Sequence, residues 1–364
     1  MRRADRAGAL VLVALAGSAV AAPPWATVTP DLTIVLPRDH GAHLQHRTEW
    51  WYLTGIARAA DGREVGWQLT FFRRGIDPAP AAPGQSTLRA RHVLAAHLAV
   101  ADLATGTFHH AERLRRAGSG LAGACEDDLD VGIDDWWLRR ERGDRLRLHA
   151  ADPAEGLLLD LELTPRKPLV RHGVGGYSRK GEEENNASAY LSWTRLACRG
   201  TVGVGKRRLE VVGEAWFDHE WGSSQLGASV VGWDWFALRL ADGRDLMLYQ
   251  LRRADGRAAS FSAGTVVAGD GVSRDLAAGD FTITPLATWL SPASGAVYPA
   301  RWRLAVPSAA LDLEVTPRLA GAELRAERST ATTYWEGPVA VTGTAVGEGY
   351  VELTGYAGTM AGRF

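Results

Sequence analysis

The chain has 364 residues, 46% of them hydrophobic, and 41 Lys and Arg against 42 Asp and Glu give a net charge of -1. That length suits two domains or one large one with a sizeable core. The balanced charge excludes the basic surface of a nucleic-acid binder and the acidic tail of a solvating segment.

The N-terminus reads as a secretory signal over residues 1–21. Arg2, Arg3 and Arg6 precede an apolar core at 7–17, which is shorter than the ~20 residues a membrane span needs. Ala19-Val20-Ala21 then forms a small-residue cleavage site. The mature chain is therefore expected to be exported, to the periplasm or beyond. Cys125 and Cys198 are the only cysteines. An even count outside the cytoplasm favours a disulfide between them, with two separate buried thiols as the alternative.

Strand-type pattern dominates from there on. The stretches 49–58, 64–74, 157–165, 207–217, 232–240, 245–253, 301–306 and 311–317 are rich in β-branched and aromatic residues. Turn signals such as Asp61-Gly62, Asp242-Gly243 and Asp255-Gly256 separate them. Residues 91–103 carry helix-tolerant alanines, but His92, Leu94, Ala96, Leu98 and Val100 alternate as in a strand, which is the reading adopted. Strand, short turn, strand implies antiparallel meanders in an all-β chain. A faint internal repeat, "LLLDLELTPRKP" and later "AALDLEVTPRLA", each followed by an aromatic strand and a closing Gly-ended strand, suggests two copies of one β-barrel or sandwich. The break is expected after Gly222, giving domains at 28–222 and 223–364. Residues 77–86 and 172–186 read as long loops of the first copy, and loops of that length are often functional.

The 14 tryptophans cluster as Trp50-Trp51, Trp136-Trp137, Trp216/Trp221 and Trp233/Trp235. Strand alternation puts Trp216, Asp218 and Glu220 of "EAWFDHEWG" on one face and Phe217, His219 and Trp221 on the other. In 233–240, Trp233 and Trp235 oppose Asp234 and Phe236. Two readings follow. In one, indoles line an apolar cavity and a few acids and one histidine converge on its polar end, where desolvation raises carboxyl pKa values. In the other, the tryptophans are core and the acids accept indole N–H bonds or pair with Arg73, Arg74 or Arg239. Which face points inward decides whether Asp218 or His219 meets a ligand.

His40, His43, His46 and Glu49 recur at intervals of three, but Gly41 and the extended pattern after Glu49 argue against a helical metal site, so a solvated loop with one or two positioned histidines is expected. No metal and no cofactor is expected. Nucleophile-elbow, phosphate-loop and dinucleotide fingerprints are missing from the sequence, and Ser188 and Ser192 flank Tyr190 without a recognisable base.

Together, "PRDHGAHLQHRTEWWYLTG", "QLTFFRR", "NASAYLSWTRL", "GEAWFDHEWGSSQL", "GWDWFALRLADGRDLMLYQLRRADG" and "YWEGPVAVTG" resemble the AttH-like and carotenoid 1,2-hydratase-like family. The resemblance implies two tandem lipocalin-like antiparallel β-barrels, which can enclose one small apolar ligand. One branch of the family adds water to a terminal C=C of acyclic carotenoids. The other is exported and is described as associated with ABC-transporter permeases or as secreted hydrolases. His219-x-Trp221 matches a pattern near the hydratase site, but the Tyr-x-Asp that supplies an acid there corresponds here to Tyr249-Gln250-Leu251, with leucine in place of the acid. The preferred expectation is a module binding an apolar or amphipathic molecule, lipid- or isoprenoid-like, and working near an ABC-transporter permease. Trp50, Tyr52, Trp221, Trp233, Trp235 and Tyr249 would contact the ligand, and Glu49, His219 and Asp234 would orient its polar end. The alternative is an enzyme hydrating or hydrolysing an isoprenoid or ester, with His219, Asp218 or Glu220 as acid/base.

Overall fold

The computed structural model describes residues 25–78, 90–118, 120–223, 226–227 and 229–361. The signal segment 1–21 and most of the loop 77–86 lie outside the described residues. Thirteen strands between Thr48 and Gly222 form one sheet, and ten between Val230 and Thr354 form a second. Three single-turn 3-10 segments are the helical pieces among the described residues. Every stretch read as a strand is a strand, including 91–103, which forms His92–Asp102. The architecture is therefore all-β, with two tandem lipocalin-like sheets.

Each sheet is filled on its concave side by its own side chains. Trp51, Leu53, Trp67, Leu69, Phe71, Trp136 and Phe217 are fully buried in the first core. Phe236, Leu238, Trp302, Leu304, Trp335 and Val351 occupy the second. Large rings pack these two cores, and the cavity described below lies outside them.

That space lies between the domains, and the register explains why. Strand Thr48–Ala59 pairs with Arg207–Gly222 so that Glu49 faces Trp221, Trp51 faces His219 and Leu53 faces Phe217. Trp51, Leu53 and Phe217 of that set belong to the first core, and Trp221 to a smaller buried cluster with Tyr177 and Leu191. The alternate set pairs Trp50 with Glu220, Tyr52 with Asp218 and Thr54 with Trp216, and points away from that core. Strand Val230–Leu240 does the same in the second domain, pairing Trp235 with Glu352 and Tyr249, and Ala237 with Tyr350. These outer faces meet. Tyr52, Ile56, Tyr190 and Trp216 pack with Trp235, Ala237, Met247, Tyr249 and Tyr350 in one buried cluster. Each of the larger side chains among them contributes about 1.5–3 kcal/mol by leaving water.

Polar ties fix the junction. The ladder between Ala187–Val204 and Arg207–Gly222 shifts register between Trp193 and Leu196. This irregularity re-aims Thr194 and Arg195 toward the second domain. There Thr194 Oγ1 donates to the buried Asp245 at 2.8 Å and Arg195 Nη2 at 2.7 Å, while Lys167 Nζ lies 2.7 Å from the same carboxylate. Gly66 is required by close approach: a Cβ there would stand 2.6 Å from Tyr350 Oη and 2.8 Å from Pro338.

Candidate functional site

The interdomain space is a cavity of about 510 Å³, within the size range of small-molecule sites. Trp50, Tyr52, Trp233, Trp235 and Tyr249 line it, and so do Asp218 and Glu220. His219, Trp221 and Asp234 do not.

Alternation separates Asp218 from His219. Asp218 is 4% exposed and held by three donors. Tyr190 Oη donates to Oδ2 at 2.8 Å, Trp216 Nε1 donates to Oδ1 at 2.6 Å, and Ser192 Oγ also donates to Oδ1. Burial pushes its pKa up to about 7, against the pull of those bonds. Trp235 Nε1, from the other domain, donates to Tyr190 Oη at 3.0 Å. Glu220 is paired with the Lys180 ammonium and accepts from Ser188. Ser188, Tyr190 and Ser192 thus share one face of their strand and all three serve the two acids.

Two further acids come from the second domain. Glu336 and Glu352 are direct partners on strands Thr332–Gly343 and Gly347–Thr354. Tyr52 Oη and Gln68 Nε2, both from the first domain, donate to Glu336, the latter at 2.8 Å. Burial, with Glu352 beside it, holds its pKa well above the ordinary carboxyl value. Trp233 Nε1 and Thr354 Oγ1 both donate to Oε1 of Glu352, at 3.1 and 2.6 Å. Burial raises Glu352 to about 7. Three carboxyls that hold or share a proton near neutrality therefore face one apolar space, an arrangement suited to proton donation. Sequence reading missed Glu336 and Glu352, along with Lys180, Tyr190 and Tyr334. The signal available was Glu336 directly after Tyr334-Trp335, which echoes the acid-beside-indole pattern of the first half.

The structure places His219, expected as a catalytic or ligand-orienting residue, among buried side chains and away from the cavity lining. It is fully buried, stacked on Trp51 at 5.0 Å between ring centroids, and its Nε2 lies 2.9 Å from Glu49 Oε1. Trp221 stacks on His43 at 3.7 Å. Glu49 borders the cavity, but its carboxylate is taken up by His43, His219 and Arg73. Against the cost of burial, Arg73 and the two histidines hold it well below the usual range. The histidine loop is likewise buried rather than solvated: His40 and His43 are each 3% exposed and His46 8%.

Ligand atoms of His43, Glu49 and His219 lie within 4.8 Å of one another. Their chemistry does not suit a cation. Although burial opposes it, hydrogen bonds from the two nitrogens of its ring to Asp39 and Glu49 raise the His43 pKa. Both ring nitrogens of His43 already face carboxylates, Nδ1 at 2.8 Å from Glu49 and Nε2 at 3.2 Å from Asp39, and the Arg73 guanidinium sits 2.9 Å from Glu49 Oε2. The cluster is a buried, charge-paired network joining Asp39, His43, Glu49, Arg73 and His219.

Asp234 turns into the second domain, where Arg252 Nε lies 2.9 Å away and Tyr356 Oη 3.0 Å. Leu251, where the resemblance would put an acid, lines the cavity as an apolar wall. Cys125 is exposed and Cys198 buried, and both are free thiols, so the disulfide expectation is corrected. Cys198 sits in the first core, with burial raising its pKa to about 12.

A family model described as AttH-like matches residues 27–356. An AttH protein of Nitrosomonas europaea is 34% identical, covers 91% of this chain and 99% of its own, and superposes with a TM-score of 0.81. Kievitone hydratase of Nectria haematococca shares the fold at 16% identity, covering 92% of this chain and 97% of its own, with a TM-score of 0.69. No curated protein matches the chain. With its fold, its motifs and nearly its whole described length in agreement, this chain belongs to the AttH-like family.

Proposed function

We propose that this chain takes an apolar or amphipathic small molecule, lipid- or isoprenoid-like, into the interdomain cavity and transfers a proton to it, as in the hydration of an alkene. The observation that carries this reading is the set of raised-pKa carboxyls, Asp218, Glu336 and Glu352, in a space walled by indole and phenol rings. A binding site alone needs no such group, because burying carboxyls is costly.

The chemistry balances with two of them. Asp218 gives its proton to one alkene carbon, and the cation left on the other faces the rings of Trp235, Tyr52 and Trp50. Water forms the new C–O bond and loses its extra proton to the Glu352 carboxylate. Kievitone hydratase is named for a hydration on the same fold, but the proposal rests on the cavity of this chain. The acid missing at Leu251 is supplied from other strands.

Binding is tested by titrating tryptophan fluorescence with farnesol and with oleate. Chemistry is tested by incubating farnesol in 18O-labelled water and analysing products by mass spectrometry. Saturable quenching with label incorporation, lost in Asp218→Asn, is the expected result. Quenching without incorporation across isoprenoid alkenes reduces the protein to a carrier, and no quenching by any apolar probe overturns the site.

A further inference from the structure

The loop 172–186 supplies Lys180 to the cavity and also His172, which lies behind the wall. His172 is 1% exposed. Its Nε2 is 2.7 Å from Ser192 Oγ and its Nδ1 is 2.8 Å from Thr265 Oγ1. Ser192 in turn bonds Asp218, and Thr265 Oγ1 lies 3.2 Å from Asp275 Oδ1. Ser192 and Asp218 are direct cross-strand partners in the first sheet, and Thr265 and Asp275 in the second. One imidazole therefore joins two cross-strand pairs from different domains. Four members of the chain are buried, and Asp275 is exposed.

We propose that Asp275, Thr265, His172, Ser192 and Asp218 form a proton relay that carries protons from the surface to the cavity acid. This rests on reading Asp218 as the proton donor.

The proton count closes. A neutral imidazole donates through one nitrogen and accepts through the other. With the proton on Asp275, its O–H donates to Thr265, Thr265 donates to Nδ1, Nε2–H donates to Ser192, and Ser192 donates to the Asp218 carboxylate. Shifting each proton one place leaves Asp218 protonated, Asp275 ionised, and His172 carrying its hydrogen on Nδ1 instead of Nε2. No heavy-atom bond forms or breaks, and no charge remains on the ring. Burial, with Lys180 nearby, pushes the His172 pKa down to about 3, which keeps the ring neutral and the route tautomeric. The groups around the acid end are Glu220 and Lys180. At the surface end Asp275 also accepts from the backbone N–H of Gly173 at 3.3 Å.

The test uses the full chain and needs no substrate. Trp216 donates to Asp218, so indole fluorescence reports its ionisation, with Asp218→Asn as the spectral blank. A photoreleased-proton jump near neutral pH is followed in wild type, His172→Gln and Thr265→Val. Thr265→Val leaves every contact of Asp218 in place. Both variants are expected to keep the titration midpoint but relax roughly tenfold more slowly. Wild-type rates in both variants overturn the relay, because Asp218 is then fed from the cavity mouth. An Asp218 signal that does not titrate around neutrality removes the acid itself, a failure visible in amplitude rather than rate.

Discussion

Trp235 donates its indole N–H to the hydroxyl of Tyr190 at 3.0 Å across the domain junction, and Tyr190 passes its own hydrogen to Asp218. An indole of the second domain thus orients the hydrogen bond that holds an acid of the first. Trp235→Phe keeps the ring and removes the donor. It should cost about 1 kcal/mol in denaturant unfolding. It should also move the Asp218 titration seen by fluorescence, whereas a purely steric role for the indole leaves that midpoint fixed.

The buried acids make stability fall as pH rises. Asp218 binds its proton more tightly folded, at about 7, than unfolded. Its contribution is complete at acid pH, below the unfolded value, and is lost as pH climbs through the folded one. The buried histidines His97 and His172, lowered to about 4 and 3, oppose this by losing stability as pH falls. The comparison of Asp218→Asn with wild type isolates the acid. The variant should gain relative stability between roughly pH 4 and 8, by up to the order of 4 kcal/mol. A constant difference in urea unfolding across that range contradicts the raised pKa.

His219→Ala tests the reassignment of the histidine in the central motif. It removes the stacking partner of Trp51 and one of the donors to Glu49. Stability should drop by about 2–4 kcal/mol, the cost of a buried cavity plus a lost bond to a charge. Binding of farnesol by the folded fraction should be unchanged, because His219 does not reach the cavity.

Gly66→Ala places a methyl against Tyr350 and Pro338 at the junction. Both contacts are on the other domain, so the clash is relieved by separating the sheets. The expected cost is about 1–3 kcal/mol. A second unfolding transition or increased protease sensitivity between the domains would accompany it. Unaltered two-domain cooperativity argues that the Tyr350 and Pro338 side chains shift instead.

The thiols give a direct count. An aromatic disulfide reagent should titrate Cys125 alone in the native protein and both cysteines in denaturant without reductant. Failure to find two thiols after unfolding means that they are bonded.

Much of the fold was legible along the chain. "EWWYLTGIAR" and "GWDWFALRL" carry β-rich residues between turn signals, and each became a strand. The grouping of Trp216 with Asp218 and Glu220 against Phe217 with His219 and Trp221 also followed from alternation and is the grouping observed. The interest in His219 came from its setting between indoles, and those rings proved to be core. Glu336 went unnoticed although it follows Tyr334-Trp335, and Glu352 has no comparable mark beside it in the sequence. The first-domain partners of Glu336, Tyr52 and Gln68, are more than 260 positions away from it.

The order of residues by itself determined an all-β chain and which side chains share a face of each strand, since a period of two is a local property of the backbone. It did not determine the sign of each face. That depends on which side of a curled sheet is concave and which side meets the other domain, a matter of packing between distant segments. The tertiary structure alone decided that Asp218, and not His219, looks into open space. It also decided that the space lies between the two domains, because the desolvation that raises a carboxyl pKa is the summed effect of neighbours drawn from both domains.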